Sequence, residues 1–133
     1  MRFADVEEGD ELPPRTVFLA KEQVRDYARA ANQWSPRFTD DEGARREGLP
    51  GMITPGNMSM GLLVGLIEVW AGPGSVRRLG TTFRGLVLPG RTIRLCGTVT
   101  EKNERGRTAE LDVWLESDEG DRLVIGTATV ALA

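Results

Sequence analysis

Histidine is absent from the sequence. Its absence excludes Ser-His-Asp and Cys-His nucleophile arrangements, histidine-ligated zinc and a histidine general base supplied by this chain. Without histidine, only the terminal amino group has an ordinary pKa between about 5 and 8. We expect no metal site and no cofactor, and proton transfer near neutral pH would need a carboxylate with a raised pKa or a partner chain.

Cysteine occurs once, at position 96. A single thiol excludes a disulfide within the chain, and a thiolate metal site would need ligands from elsewhere. Cys96 lies in the strand-like segment Ile-Arg-Leu-Cys-Gly-Thr-Val, which favours a buried structural thiol over a reactive one. So little cysteine suits a reducing compartment, and we expect a cytoplasmic protein.

Long apolar runs and an excess of basic charge are also missing. The longest apolar stretch, residues 58–70, is shorter than the ~20 residues that a membrane span needs, and the acidic first residues lack an apolar signal segment. A formal net charge of −3 argues against non-specific electrostatic binding to nucleic acid. The 133 residues, 40% apolar and 28% charged, predict one globular domain over residues 1–133.

The periodicity of apolar residues predicts two helices and five strands. The helices span residues 21–31 and 58–70, and Asn57 is expected to cap the second. That second helix is apolar nearly all round, which predicts burial by the sheet and by a partner chain. Residues 32–55 are predicted to be a loop with a helical turn over 40–46. Strands are expected over residues 16–19, 76–83, 92–102, 108–117 and 122–131. The simplest packing is an antiparallel sheet curled around the buried helix, an α+β fold.

Several short segments, in order and at the right spacing, resemble one protein family. They are Phe-Ala-Asp-Val-Glu-Glu-Gly-Asp-Glu-Leu-Pro at 3–13, Asn-Gln-Trp-Ser-Pro at 32–36, Gly-Leu-Pro-Gly at 48–51, Met-Ser-Met-Gly-Leu-Leu at 58–63, Trp-Ala-Gly-Pro-Gly at 70–74 and Val-Leu-Pro-Gly at 87–90. Together they resemble the MaoC-like acyl dehydratase, or (R)-specific enoyl-CoA hydratase, family. The resemblance implies a hotdog fold, in which an antiparallel sheet wraps a central helix, and an acyl-CoA thioester as ligand.

The chain departs from that family at the catalytic signature, Gly-Asp-(aromatic)-Asn-Pro-x-His-x-Asp. Gln33 stands at the position of the catalytic Asp and Phe38 at that of the catalytic His, whereas Asp40 is retained. Adding water across an α,β-double bond needs a base for the water and an acid for Cα. Neither a glutamine amide nor a phenyl ring transfers protons near neutral pH, so we predict no catalytic residue at these positions.

The resemblance also implies binding residues. Thr-Pro-Gly at 54–56 stands where the family has Ala-His-Gly, and in the family the amide at the start of the central helix polarises the thioester carbonyl. We predict substrate contacts from Trp34, Pro55, Gly56 and Asn57. An alternative stays open for Gly56, because a glycine equally suits the turn before a helix.

Two roles are open for the acidic residues Asp40, Asp41 and Glu42. They suit the first turn of a helix, where carboxylates interact favourably with the helix dipole. Alternatively, one of them replaces the missing catalytic pair.

Trp70 and the Gly-Pro that follows at 72–73 are similar to the small subunits of two-component steroid side-chain enoyl-CoA hydratases. That similarity implies a non-catalytic subunit, which pairs with a second, catalytic MaoC-like hotdog chain and completes a pocket for a bulky acyl-CoA. The alternatives are a homodimeric hydratase or thioesterase with a replacement carboxylate, and a homodimeric acyl-CoA-binding protein without chemistry. In each case we expect a dimer whose sheet continues across two chains.

Overall fold

A computed structural model describes residues 1–133 and contains four helices, five strands and a short 3-10 turn at Phe3–Asp5. The helices are α1 (Lys21–Ala30), α2 (Pro36–Thr39), α3 (Asp41–Arg46) and α4 (Gly56–Ala71). The strands are β1 (Arg15–Leu19), β2 (Val76–Phe83), β3 (Arg91–Asn103), β4 (Thr108–Glu116) and β5 (Arg122–Ala131). The predicted α+β class and the order of elements are confirmed. Helix α2 and the 3-10 turn were missed, because segments of four and three residues are too short to show a helical period.

All five strands form one antiparallel sheet in the order β1-β3-β4-β5-β2. Apolar residues alternate along β4, so Leu111, Val113 and Leu115 are buried against α4 while the residues between them face outward. From the helix, Leu63 and Ile67 complete this core. The sheet therefore curls around α4, and its two edges are β1 and β2.

Within this chain the sheet covers only one side of helix α4, so the predicted burial of the whole helix stays a prediction that needs a partner chain. The sheet covers Ser59, Leu63, Leu66 and Ile67, whereas Val69 is 78% exposed. A Cβ added at position 61 or 65, both glycine, would meet nothing within 4 Å. The reason is geometric, because one sheet covers only one side of a helix. The apolar residues on the other side therefore mark a surface that this chain alone leaves open.

The start of α4 differs from the prediction, because Asn57 is not its cap. The helix begins at Gly56, and Pro55 is the N-cap residue with an extended backbone (φ −58°, ψ 141°) and no capping side chain. The carbonyl of Pro55 accepts from the amides of Met58 and Ser59, and the amides of Gly56 and Asn57 have no acceptor. Two helix N–H groups are thus left free. None of the helices is long and apolar enough to span a bilayer.

Candidate functional site

A cleft of about 250 Å³ opens where α4 begins. Its lining includes Phe38 from α2, the segment that leads into α4, the first turn of α4, and Phe83 at the end of β2. Two positions that the sequence pointed to, Phe38 and Gly56, therefore lie in one cleft. The loop predicted over residues 32–55 is what brings Phe38 there.

Gly56 lies under an aromatic ring. A Cβ at this position would come within 2.9 Å of the Phe83 ring, so only glycine lets the ring lie over the first turn of α4 unshifted. The Gly56 amide has no acceptor, and the positive end of the helix dipole lies at the same place. The unpaired amide and the helix dipole together favour a hydrogen-bond acceptor at the start of α4.

The other predicted binding residues lie outside the cleft lining. Trp34 is 56% exposed, and the guanidinium of Arg29 stacks on its ring at 4.9 Å from the centroid. Gln33 is partly buried, and its Oε1 is buried without a hydrogen-bond partner. Pro55 is buried just before the helix, and Asn57 is exposed in its first turn. Gly56 is thus the one predicted binding residue that lines the cleft in this chain.

The acidic residues around the start of α3 make structural contacts. Asp40 caps α3, because its Oδ2 accepts from the amide of Gly43 at 2.8 Å. Asp41 accepts from the ammonium of Lys21 at 2.8 Å and from the amide of Met52 at 3.0 Å. These contacts favour the helix-start role over the catalytic one.

Asp41 connects α1 to the loop that precedes α4. The hydrogen bond from Lys21 is the main reason that the pKa of Asp41 lies below its ordinary value, and the amide of Met52 lowers this pKa further. The carboxylate is consequently ionised at neutral pH and engaged by its donors. A general base works best with a pKa near the operating pH, so Asp41 is poorly suited to that task.

Replacement of Asp41 by Asn is expected to destabilise the protein by about 1 kcal/mol at neutral pH. A lowered pKa in the folded state stabilises the protein above the unfolded pKa of about 3.9, and this contribution is lost as the pH falls through the folded value. Urea unfolding of wild type and Asp41→Asn at about pH 7 and about pH 2 measures the effect. Asp26→Asn is the matched control, because the Asp26–Arg29 pair is exposed. A difference for Asp41→Asn that persists in acid would contradict this account.

Among the lining residues that sequence reasoning missed are Thr54, Ser59 and Phe83. The hydroxyl oxygens of Thr54 and Ser59 are buried and have no hydrogen-bond partner. Thr54 stands in the Thr-Pro-Gly segment, but nothing there indicated a role for its side chain, and a small polar residue such as Ser59 is equally common in ordinary helix packing. Phe83 carried no signal, because its contact with Gly56 joins two distant parts of the chain.

Neither metal-binding nor thiol chemistry has support elsewhere in the chain. No three Cys, Asp or Glu side chains lie close enough to hold a metal ion. The prediction of a buried Cys96 is confirmed, and burial raises the pKa of its thiol, with the nearby Glu116 adding to the effect. A raised pKa leaves little reactive thiolate at neutral pH.

A larger concavity, of about 490 Å³, lies on the outer face of the sheet. There the guanidinium of Arg122 covers the ring of Trp114 at 3.9 Å from its centroid. No residue of the catalytic signature lines it. We therefore place the candidate site at the start of α4 and not on the outer face.

Several solved structures are similar to this chain in sequence and fold. A solved structure named MaoC-like dehydratase is 29% identical with a TM-score of 0.93, over 99% of this chain and 42% of that one. The chain thus spans less than half the length of that protein. A chain of the ChsH1-ChsH2 complex from Mycobacterium tuberculosis is 20% identical (TM-score 0.87, 96% of this chain and 98% of that one). The (R)-hydratase from A. caviae involved in PHA biosynthesis is 22% identical, with a TM-score of 0.89, over 96% of this chain and 98% of that one.

The last two structures, at such low identity, show the fold alone. A search of curated proteins found no significant match. The family described as the MaoC like domain matches residues 4–120, which is most of the chain. This match agrees with the α+β fold and its five-stranded antiparallel sheet. The chain therefore belongs to the family of MaoC-like domains, with the hotdog fold.

Proposed function

We propose that this chain is a non-catalytic hotdog subunit that pairs with a catalytic MaoC-like chain to form an enoyl-CoA hydratase for a bulky acyl-CoA. The observation on which the proposal depends is the position of Phe38. This residue stands where the family has its catalytic His, and its ring lines the cleft at the start of α4. The position of the catalytic Asp holds Gln33.

The chemistry of the cleft favours a non-catalytic role for this subunit. Its lining contains no titratable side chain, whereas hydration needs a base and an acid. Asp40 and Asp41 are engaged by backbone amides and by Lys21. A homodimeric enzyme with a replacement carboxylate therefore has less support than a subunit that completes a partner's pocket.

Two neighbouring surfaces support pairing with another hotdog domain. The outer edge of β2 has no partner strand, and α4 packs against β2 as well as against β3, β4 and β5. The face of α4 that the sheet leaves open is apolar, and Val69, near the C-terminal end of the helix, lies on it. A second hotdog domain would cover both, by extending the sheet and packing helix against helix. The resemblance to a chain from a two-component complex agrees with this arrangement.

Co-expression tests the proposal. We would produce the chain with a histidine-containing MaoC-like chain from the same gene neighbourhood, purify through a tag on one chain, and assay hydration of short and steroid-type enoyl-CoA. We expect a complex with equal amounts of both chains that hydrates the bulky substrate faster than the catalytic chain alone does. If the chains fail to co-purify, or if the catalytic chain alone is equally active on that substrate, the proposal is wrong. Two copies of this chain that bind acyl-CoA without turnover would support the acyl-CoA-binding homodimer instead.

A further inference from the structure

The open sheet edge at β2 is basic, although the chain as a whole has a net charge of −3. Residues 69–100 contain five arginines and no aspartate or glutamate, in a chain with 17 basic and 20 acidic residues. Three of these arginines, Arg77, Arg78 and Arg84, lie in β2 or directly after it, and all three are exposed. The β2 edge, which we define as residues 76–84, therefore carries three positive charges and no negative one.

Little of this charge is neutralised within the chain. The guanidinium of Arg78 lies 3.7 Å from the carboxylate of Glu110, on an exposed part of the sheet. Arg77 donates to a neutral group, the carbonyl oxygen of Gly74, at 2.6 Å. Arg84 forms no ion pair. Two uncompensated positive charges therefore remain, one near each end of β2.

A second copy of this chain fits the β2 edge poorly. If two β2 strands paired antiparallel over their full length, Arg77 would lie opposite Thr82 of the other copy. Arg84 of that copy would then be a diagonal neighbour of Arg77, at about 7–8 Å. Two-fold symmetry makes this contact occur twice. Like charges in neighbouring cross-strand positions are destabilising, so the edge opposes its own pairing.

We propose that the β2 edge selects a hotdog chain whose own edge strand carries carboxylates, and that it disfavours a second copy of this chain. The kind of partner rests on the proposed function, whereas the selection against a second copy rests only on the charges of β2. Carboxylates opposite Arg77 and Arg84 would form cross-strand ion pairs, each of which strengthens association by up to about 5-fold. Repulsion in the wrong pair and attraction in the right pair then act together to give specificity.

Arg84→Glu tests this selection on the chain alone. The substitution gives β2 opposite charges at its two ends, so antiparallel self-pairing would place the new carboxylate of each copy beside Arg77 of the other. Both contacts change from repulsion to attraction. We therefore expect self-association in about 0.1 M NaCl, measured by sedimentation equilibrium, to be at least about 10-fold tighter than in wild type. Arg15→Glu is the matched control, because it makes the same change of charge at an exposed position of β1, the opposite edge of the sheet. It should leave self-association unchanged.

The salt dependence of association gives a second measurement. Raising NaCl from about 0.1 to about 1 M shortens the Debye length from about 10 to about 3 Å, which screens charges at the diagonal distance. We expect added salt to strengthen self-association of wild type and to weaken that of Arg84→Glu. The complex with the catalytic chain should also weaken in salt, and Arg84→Glu should weaken it in about 0.1 M NaCl.

Three results would overturn the inference. They are Arg84→Glu self-associating no more tightly than wild type, both chains responding to salt with the same sign, and Arg84→Glu tightening the complex with the catalytic chain. None of these results excludes pairing through the open face of α4, so the proposed function would stand. Conversely, if no catalytic chain co-purifies but Arg84→Glu self-associates more tightly, the selection against a second copy is confirmed and the proposed function is wrong.

Discussion

Assayed by itself, the purified chain is expected to hydrate enoyl-CoA thioesters no faster than a protein-free control. Gln33 and Phe38 stand where the family has its proton-transfer pair, and the cleft beside Phe38 contains no titratable side chain. Each general acid or base typically contributes about 10²- to 10⁴-fold to the rate, so the loss of both removes useful turnover. The assay is the disappearance of the enoyl thioester, with a catalytic MaoC-like hydratase as positive control. Turnover that survives a second purification would contradict the proposal.

The complex with a catalytic chain provides a sharper form of the same test. If Asp40 were the base, the rate would fall as acid protonates this carboxylate, and Asp40→Asn would abolish turnover. We expect instead that Asp40→Asn leaves the shape of the pH–rate profile unchanged, because the partner supplies the ionising groups. Asn is as good a helix N-cap as Asp, so this substitution removes the charge and keeps the cap on α3. If Asp40→Asn removes the fall in rate at low pH while the complex stays intact, Asp40 is a catalytic residue and the proposal is wrong.

Replacement of Val69 by Asp is expected to abolish pairing. Val69 is 78% exposed on the open apolar face of α4, and the outer edge of β2 is unpaired. A carboxylate buried there would lose its hydration without a partner charge, which costs several kcal/mol. The fold should survive, because the position is exposed in the single chain. Association should weaken at least about 100-fold, since every 1.4 kcal/mol is tenfold. Sedimentation of the complex, or of the homodimer, measures this loss.

Thr16→Asp is the matched control for Val69→Asp. It adds the same charge at an exposed position of β1, the opposite edge of the sheet, and it should leave pairing unchanged. If Val69→Asp pairs normally, the open face of α4 is not the interface. A wild-type chain that stays monomeric at micromolar concentration, with and without the catalytic chain, would refute pairing altogether.

The elements of this fold could be predicted from the sequence because their signals are local. The alternation of Leu111, Val113 and Leu115 identifies a half-buried strand within a few residues, and the helical spacing from Lys21 onward identifies α1. The absence of histidine limits the chemistry without any reference to the fold. The family match also followed from short segments in order.

Tertiary structure alone decided which surfaces of those elements stay open. Composition predicted burial of α4 by the sheet and a partner together, but only the fold decided which side the sheet covers and that Val69 is left exposed. The contact between Phe83 and Gly56, and the unpartnered hydroxyls of Thr54 and Ser59, were equally invisible in the sequence. The physical reason is the range of the interactions. Periodicity and capping depend on neighbours along the chain, whereas burial of one helix face and isolation of a hydroxyl depend on segments that meet only in the folded protein.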